Sequence, residues 1–183
     1  MTFLSTLHSL LNRLRKDERG VVSVEFALVL PLMAVLLLGS WELNGAVLTK
    51  RKSSHLASAL ANLAAQDDNI TASDWATFGD IADRMMFPYD GFTRRIGLIG
   101  VEVDSAGRVN LVCSFGDAAI DPASLPDGLK IANSFYLMSA SEVDYEAFTK
   151  NSSFYGTSSG FMDMTFRDTA IFAPRNSDEV TCN

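Results

Sequence analysis

The chain has 183 residues, 48% of them hydrophobic, and a formal net charge of -7, a size suited to one modest domain. That apolar content excludes a disordered chain, and no collagen repeat or cysteine-dense framework is present. The balance of 22 Asp and Glu against 15 Lys and Arg lacks the basic face of a nucleic-acid binder, so no nucleic-acid partner is expected. Mean hydropathy is +0.13, and one segment accounts for it.

Residues 1–20 come first and carry Arg13, Arg15, Lys16 and Arg19 against Asp17 and Glu18. Next, Phe26–Trp41 is a run of 16 uncharged residues, extended upstream by Val21, Val22, Ser23 and Val24 at the cost of one acid, Glu25. A helix crossing the bilayer core needs about 20 residues, so Val21–Trp41 reads as one transmembrane helix. The basic flank favours a cytoplasmic N-terminus, an asymmetry tempered by Lys50, Arg51 and Lys52 beyond the span. A cleaved secretory signal is the rival reading. The apolar run is long for one, and no A-x-A site follows within residues 39–47.

Glu25 has two readings. At the end of an apolar helix a carboxylate can simply reach the interface. The local string Arg19-Gly20-Val21-Val22-Ser23-Val24-Glu25-Phe26 suggests more, because Gly20 offers a peptidase a permissive backbone. A cut after Gly20 would make Val21 the first residue, Glu25 the fifth and Phe26 the sixth.

A basic leader, a glycine, a glutamate five residues on, an aromatic next and then an apolar helix together resemble the type IV prepilin processing site. They resemble in particular the TadE-like minor pseudopilins of tight-adherence (Flp) pilus systems. Asp17–Pro31 carries the resemblance, with Gly39-Ser40-Trp41-Glu42-Leu43 similar to that family's exit from the span. It covers residues 13–50 or so. The resemblance implies a pilin-like structural subunit cut by prepilin peptidase between Gly20 and Val21. It further implies a leader on the cytoplasmic side, a single pass of the inner membrane and a periplasmic head. Partners would be other pilin and pseudopilin subunits and the inner-membrane assembly platform. The Glu25 carboxylate of one subunit would pair with the Val21 ammonium of a neighbour, with Phe26 beside it. Leu28, Leu32, Val35 and Leu36 would supply packing surface. The alternative is a membrane-anchored periplasmic binding module that never assembles.

Helical spacing continues through Leu43, Val47, Leu56, Leu60, Leu63 and Ala64, interrupted by a polar turn of Lys50, Arg51, Lys52 and Ser53. The helix is expected over residues 21–66, ended by Asp67-Asp68-Asn69, which read as a turn before a Ca²⁺ site. The organisation is then a leader (1–20), a membrane and stalk helix (21–66) and an α+β head (67–183). In the head, a helix is expected over 73–86, capped by Ser73, with Trp75, Phe78, Ala82 and Met85 as its stripe and Pro88 as its stop.

Strand patterns at 95–103 and 109–115 flank a turn at 104–108. Alternation puts Val109, Leu111, Cys113 and Phe115 on one inward face. A loop with Pro122 and Pro126 follows, then strands over 133–145 and 161–172 separated by the Ser-rich 151–160. The whole is a small antiparallel sheet packed on helices.

Cys113 and Cys182 both follow the span. In an extracytoplasmic region they are disulfide candidates, closing a loop of about 70 residues worth roughly 4 kcal/mol. The alternative is two free thiols with Cys113 in the core. Catalytic motifs are lacking. Gly156-Thr157-Ser158-Ser159-Gly160 fits G-x-S-x-G, but no His follows it, and His8 and His55 lie in the leader and stalk. Asn151-Ser152-Ser153 matches a glycosylation sequon, a pattern common by chance. Without HExxH, paired CxxC, P-loop or GxGxxG patterns, no enzyme activity, metal or cofactor is expected.

Overall fold

The computed structural model describes residues 20–89, 91–147 and 163–182. Residues 1–19 of the basic leader, with His8, lie outside the described residues, as do the stretch 151–160 with its sequon and its G-x-S-x-G match. In chain order the elements are α1 (Val21–Ala64), β1 (Asn69–Ile70), α2 (Ala72–Met86), β2 (Thr93–Val103), β3 (Val109–Gly116), β4 (Ser134–Tyr145), β5 (Met164–Phe172) and β6 (Thr181–Cys182). A long apolar helix followed by a small antiparallel sheet is the α+β arrangement expected. The chain divides into two compact units, Met1–Leu43 and Asn44–Asn183, a division that falls within α1.

In the first unit, α1 starts directly after Gly20 and runs on through Pro31, even though proline removes the N–H that would bond the carbonyl of Ala27. Every residue from Val21 to Trp41 is exposed. Leucine, valine and alanine side chains thus face outward all round the helix. The stretch is long and apolar enough to cross a membrane.

In the second unit, four strands form an antiparallel sheet in the order β3-β2-β4-β5. The last five turns of α1 and the whole of α2 bury their apolar stripes against one face. Leu56, Leu60, Ala64, Phe78, Ala82 and Met86 meet Leu98, Phe135, Leu137 and Val143 there. The opposite face, with Ile99, Val101, Tyr136 and Met138, is covered by Ile120, Leu125 and Leu129 of the loop after β3. That loop holds two short 3-10 turns, Pro122–Ser124 and Asp127–Leu129.

What lets α1 lie close to the sheet is a row of small residues four apart: Gly45, Thr49, Ser53, Ala57 and Ala61. Thr49, Ser53, Ala57 and Ala61 are essentially inaccessible. The facing positions of β4 are serines. Ser139 Oγ donates to the Ala57 carbonyl at 2.5 Å, and Ser53 Oγ donates to Ser141 Oγ at 3.3 Å. Each hydroxyl buried in this seam therefore has a partner, as burial demands. Ser53 is thus not part of an exposed polar turn, as its charged neighbours suggested. Those neighbours bracket the seam instead. Lys50 Nζ pairs with Asp168 on β5 at 2.6 Å, and Lys52 Nζ donates to the carbonyls of Met85 and Phe87 at 2.9 and 2.8 Å.

The second helix starts one residue earlier than expected and is capped by Thr71 rather than Ser73. The Thr71 hydroxyl accepts from the Asp74 N–H at 3.4 Å, while the Thr71 N–H donates to Asp74 Oδ2 at 2.9 Å. This reciprocal arrangement is a capping box, with Asp at the position usual for Glu or Gln. Ser73 is already inside the helix. Within α2 the buried side chains are Phe78, Ala82 and Met86, with Trp75 and Met85 half-covered at the flanks. We expect Thr71→Ala to destabilise the fold by about 0.5–2 kcal/mol, read from denaturant midpoints. The hydrogen bonds from the Thr71 hydroxyl and N–H hold the Asp74 pKa below its ordinary value. A depressed carboxylate contributes stability that is complete above the unfolded pKa, about 3.9, and is lost as pH falls through the folded one. The gap between wild type and variant should therefore be widest near neutrality and narrow below about pH 3.9. A gap that widened in acid would refute the capping account.

The β2–β3 hairpin turns through residues 104–108 as expected, held by the Asp104 carboxylate, which accepts from the Ala106 and Arg108 N–H groups at 2.8 and 2.9 Å. The expectation that Val109, Leu111, Cys113 and Phe115 share a face does not hold. Val101 pairs with Leu111 and Gly100 with Cys113, so Val112 is an extra residue bulged out of the ladder. A bulge shifts the alternation by one. Val109 therefore packs with the loop-covered cluster and Phe115 with the helix-covered one, while Leu111 is 54% exposed.

Candidate processing and assembly site

Gly20 immediately precedes α1, and Val21 is its first helical residue. A Cβ placed on Gly20 would meet nothing within 4 Å. The Gly20–Val21 bond thus lies at the first residue of α1, unobstructed by the described residues. Glu25 lies four positions after Val21 and so on the same helix face one turn away. Phe26 is 63% exposed, and Leu28, Leu32, Val35 and Leu36 are all more than half exposed. The start of α1 thus presents one carboxylate among apolar side chains, which suits packing among other helices or in lipid.

The structure brings Cys113 and Cys182 together, bonded with their Cα atoms 6.1 Å apart. They lie far from the Gly20 end in sequence. Cys182 is in β6, which pairs in parallel with β1, Asn69 opposite Thr181 and Ile70 opposite Cys182. This two-stranded sheet had no counterpart in the sequence reading, where Asp67-Asp68-Asn69 were simply a turn. Among the described residues, no group of three or more His, Cys, Asp or Glu is placed to hold a metal ion.

Gly100, overlooked in the sequence reading, supports this pairing. A Cβ there would lie 2.8 Å from the Phe135 ring and 2.9 Å from Cys113 Sγ, so only glycine leaves the sulfur its place beside β2. The signal was available: a glycine inside an apolar strand marks a close approach.

Residues 20–65 match the family model described as TadE-like protein. The matched segment is about a quarter of the chain. It begins at Gly20 and covers α1 to just past its last residue, so the matched region is the helix itself and leaves the sheet outside. The TadE-like family is pilus-related and is not an enzyme family. No curated protein and no solved structure matches the chain.

Proposed function

We propose that this chain is a minor pilin, or pseudopilin, of a tight-adherence (Flp) type IV pilus, a structural subunit cut by prepilin peptidase after Gly20. The observation that carries the reading is that the TadE-like match begins at Gly20 and α1 at Val21, the two sides of one peptide bond. Before cleavage α1 anchors the chain in the inner membrane, with the leader cytoplasmic and the head periplasmic. After cleavage Val21 gains an α-amino group whose ordinary pKa, about 7.7–8.0, keeps it largely cationic near neutrality. In a bundle of such helices that ammonium would meet the Glu25 carboxylate of a neighbour. Either charge left alone in an apolar bundle would be costly, so the pair sets register more than it adds stability. Removing residues 1–20 leaves 11 basic and 20 acidic residues, a formal -9. The cut therefore separates a basic leader from an acidic product.

N-terminal sequencing of the protein from its own membranes tests this directly. Val21 is the expected first residue, and a chain that still begins at Met1 would end the proposal. Glu25→Ala should be cut normally yet fail to enter pili, read by comparing membrane and sheared-pilus fractions. Wild-type incorporation of that variant would remove the pairing role while leaving the cut in place. A membrane-anchored binding module predicts an uncut chain that is missing from the sheared fraction.

A further inference from the structure

Among the described residues, the Gly45 end of the second unit carries a run of neighbouring aromatic side chains. Tyr145 packs against α1 at its entry into the second unit, its Oη 2.8 Å from where a Gly45 Cβ would stand. Rings continue outward from Tyr145 in both directions. Phe92 lies 5.1 Å away and Phe166 6.2 Å away, and Tyr89 stacks 6.2 Å from Phe92. Beside them, Phe87 is 68% exposed and Met164 is 37% exposed. The Phe87 carbonyl is held by Lys52 Nζ at 2.8 Å, which fixes the backbone of a large apolar side chain that points away from the core.

Covalent connection decides what lies near this end. Gly45 is four residues after Trp41, which limits their separation to about 14 Å even in a fully extended chain. Trp41 closes the uncharged stretch and is 75% exposed, as an interfacial anchor would be. The headgroup layer on each side of the hydrocarbon core is about 5–8 Å deep. The Gly45 end of the head is thus kept within reach of that layer by the chain alone.

The charged groups on this end are largely satisfied within the head. Arg95 bridges Glu142 and Asp144 at 2.9 and 3.3 Å, Asp144 also accepts from the Thr165 hydroxyl at 2.7 Å, and Asp163 accepts from the Ala147 N–H at 3.1 Å. With Glu146 exposed as well, the described residues of this end carry no excess of positive charge for anionic lipid. Its recognition chemistry is apolar and aromatic, the chemistry that places Tyr, Trp and Phe at bilayer boundaries.

We propose that this end of the head, led by Phe87 with Tyr89, Phe92 and Met164 around it, docks on the headgroup layer of the bilayer in which α1 is anchored. The head then lies on the membrane before assembly. The proposal rests on reading Val21–Trp41 as a membrane span, and the test separates the two.

The full chain carrying Phe87→Trp is reconstituted in phosphatidylcholine–phosphatidylglycerol vesicles containing a share of brominated lipid, alongside Ile131→Trp and the parent protein. Ile131 is 60% exposed and lies just before β4, whose start pairs with the far end of β2, so it reports on the opposite end of the sheet. Once the Trp41 and Trp75 signal of the parent is subtracted, bromolipid should quench Trp at position 87 at least twofold more than Trp at 131. Raising the salt should leave that difference unchanged. Equal quenching at 87 and 131, with the parent quenched through Trp41, overturns docking and leaves the span intact. No quenching of the parent overturns the span and the docking together. Protection of position 87 from both bromolipid and aqueous iodide would mean that protein covers it, which also overturns the lipid assignment.

Discussion

Gly20→Phe should leave a product twenty residues longer than wild type on gels of membrane fractions, with essentially no cut form and no incorporation into pili. The expectation follows from the space around that residue and from what a peptidase must do. A Cβ on Gly20 meets nothing, and the residue lies outside the regular span of α1. A bulky side chain there disturbs no contact among the described residues. It should therefore leave expression, membrane insertion and the folded head unchanged. The peptidase, by contrast, has to accommodate the residue on the leader side of the bond, and glycine is the residue that lets a backbone approach closely. Gly20→Ala, one methyl group larger, should be cut more slowly than wild type and faster than the phenylalanine variant. Normal cutting of Gly20→Phe would show that the glycine plays no part in recognition, and would count heavily against the processing site.

The second large effect is expected on stability. Cys182→Ser should lower the unfolding free energy by about 4 kcal/mol if the bond to Cys113 forms in the exported protein. The sequence separation is 69 residues, and the chain-entropy account puts a loop of that length near this value. The site gives a structural reason to expect loosening at one place first. The C-terminal strap ties off the end of α1: the Arg175 N–H donates to the Ala65 carbonyl at 2.9 Å, Asn176 Nδ2 to the Gln66 carbonyl at 2.6 Å, and the Thr181 N–H to the Asp68 carbonyl at 3.0 Å. Helix C-termini leave such carbonyls without partners of their own. Val180, 1% exposed, anchors the strap in the core next to Ile70. Without the covalent tie these bonds must hold the strap alone. The check is a pair of urea curves, with and without reductant. Wild type should shift to a lower midpoint on reduction, and the serine variant should not move. A wild type indifferent to reductant would mean that the thiols are not joined.

How much of this was legible beforehand depends on the range of the interaction. The long apolar helix was plain, because 16 uncharged residues in a row are enough to mark it. The hairpin was plain too, since Asp104-Ser105-Ala106-Gly107-Arg108 is turn chemistry between two alternating runs. The helix signal after the span was read from its leucines, yet the seam is set by smaller residues at 45, 49, 53, 57 and 61. Hydrophobicity is a poor guide there, because a helix seated closely on a sheet selects for small volume. The cap was misread by two residues because Thr71 and Ser73 are both good caps, and only the reciprocal bond with Asp74 separates them. The β1–β6 pair was out of reach. Two residues on each side carry no periodicity, and their partners are more than a hundred positions apart.

Of the candidate site, the residue types were readable and their relations only partly so. Gly20, Val21, Glu25 and Phe26 are neighbours in sequence, and a helix fixes their mutual geometry without help from the rest of the chain. Cys113 and Cys182 depend on the whole sheet to meet. Their pairing could be suspected from compartment and number, but its route through β3, β2 and the strap could not be read from spacing.

The bulged Val112 has a consequence for variation in this head. Cys113 is on the helix-facing side, the side from which β6 approaches, only because one extra residue resets the alternation between Leu111 and Cys113. Were Val112 drawn into the ladder instead, it would stand opposite Gly100, and Cys113 would turn to the loop-covered side, away from Cys182. Deleting Val112 has the opposite outcome: the strand straightens and the thiol stays opposite Gly100. A gap of one position at this point should therefore be compatible with the cysteine pair.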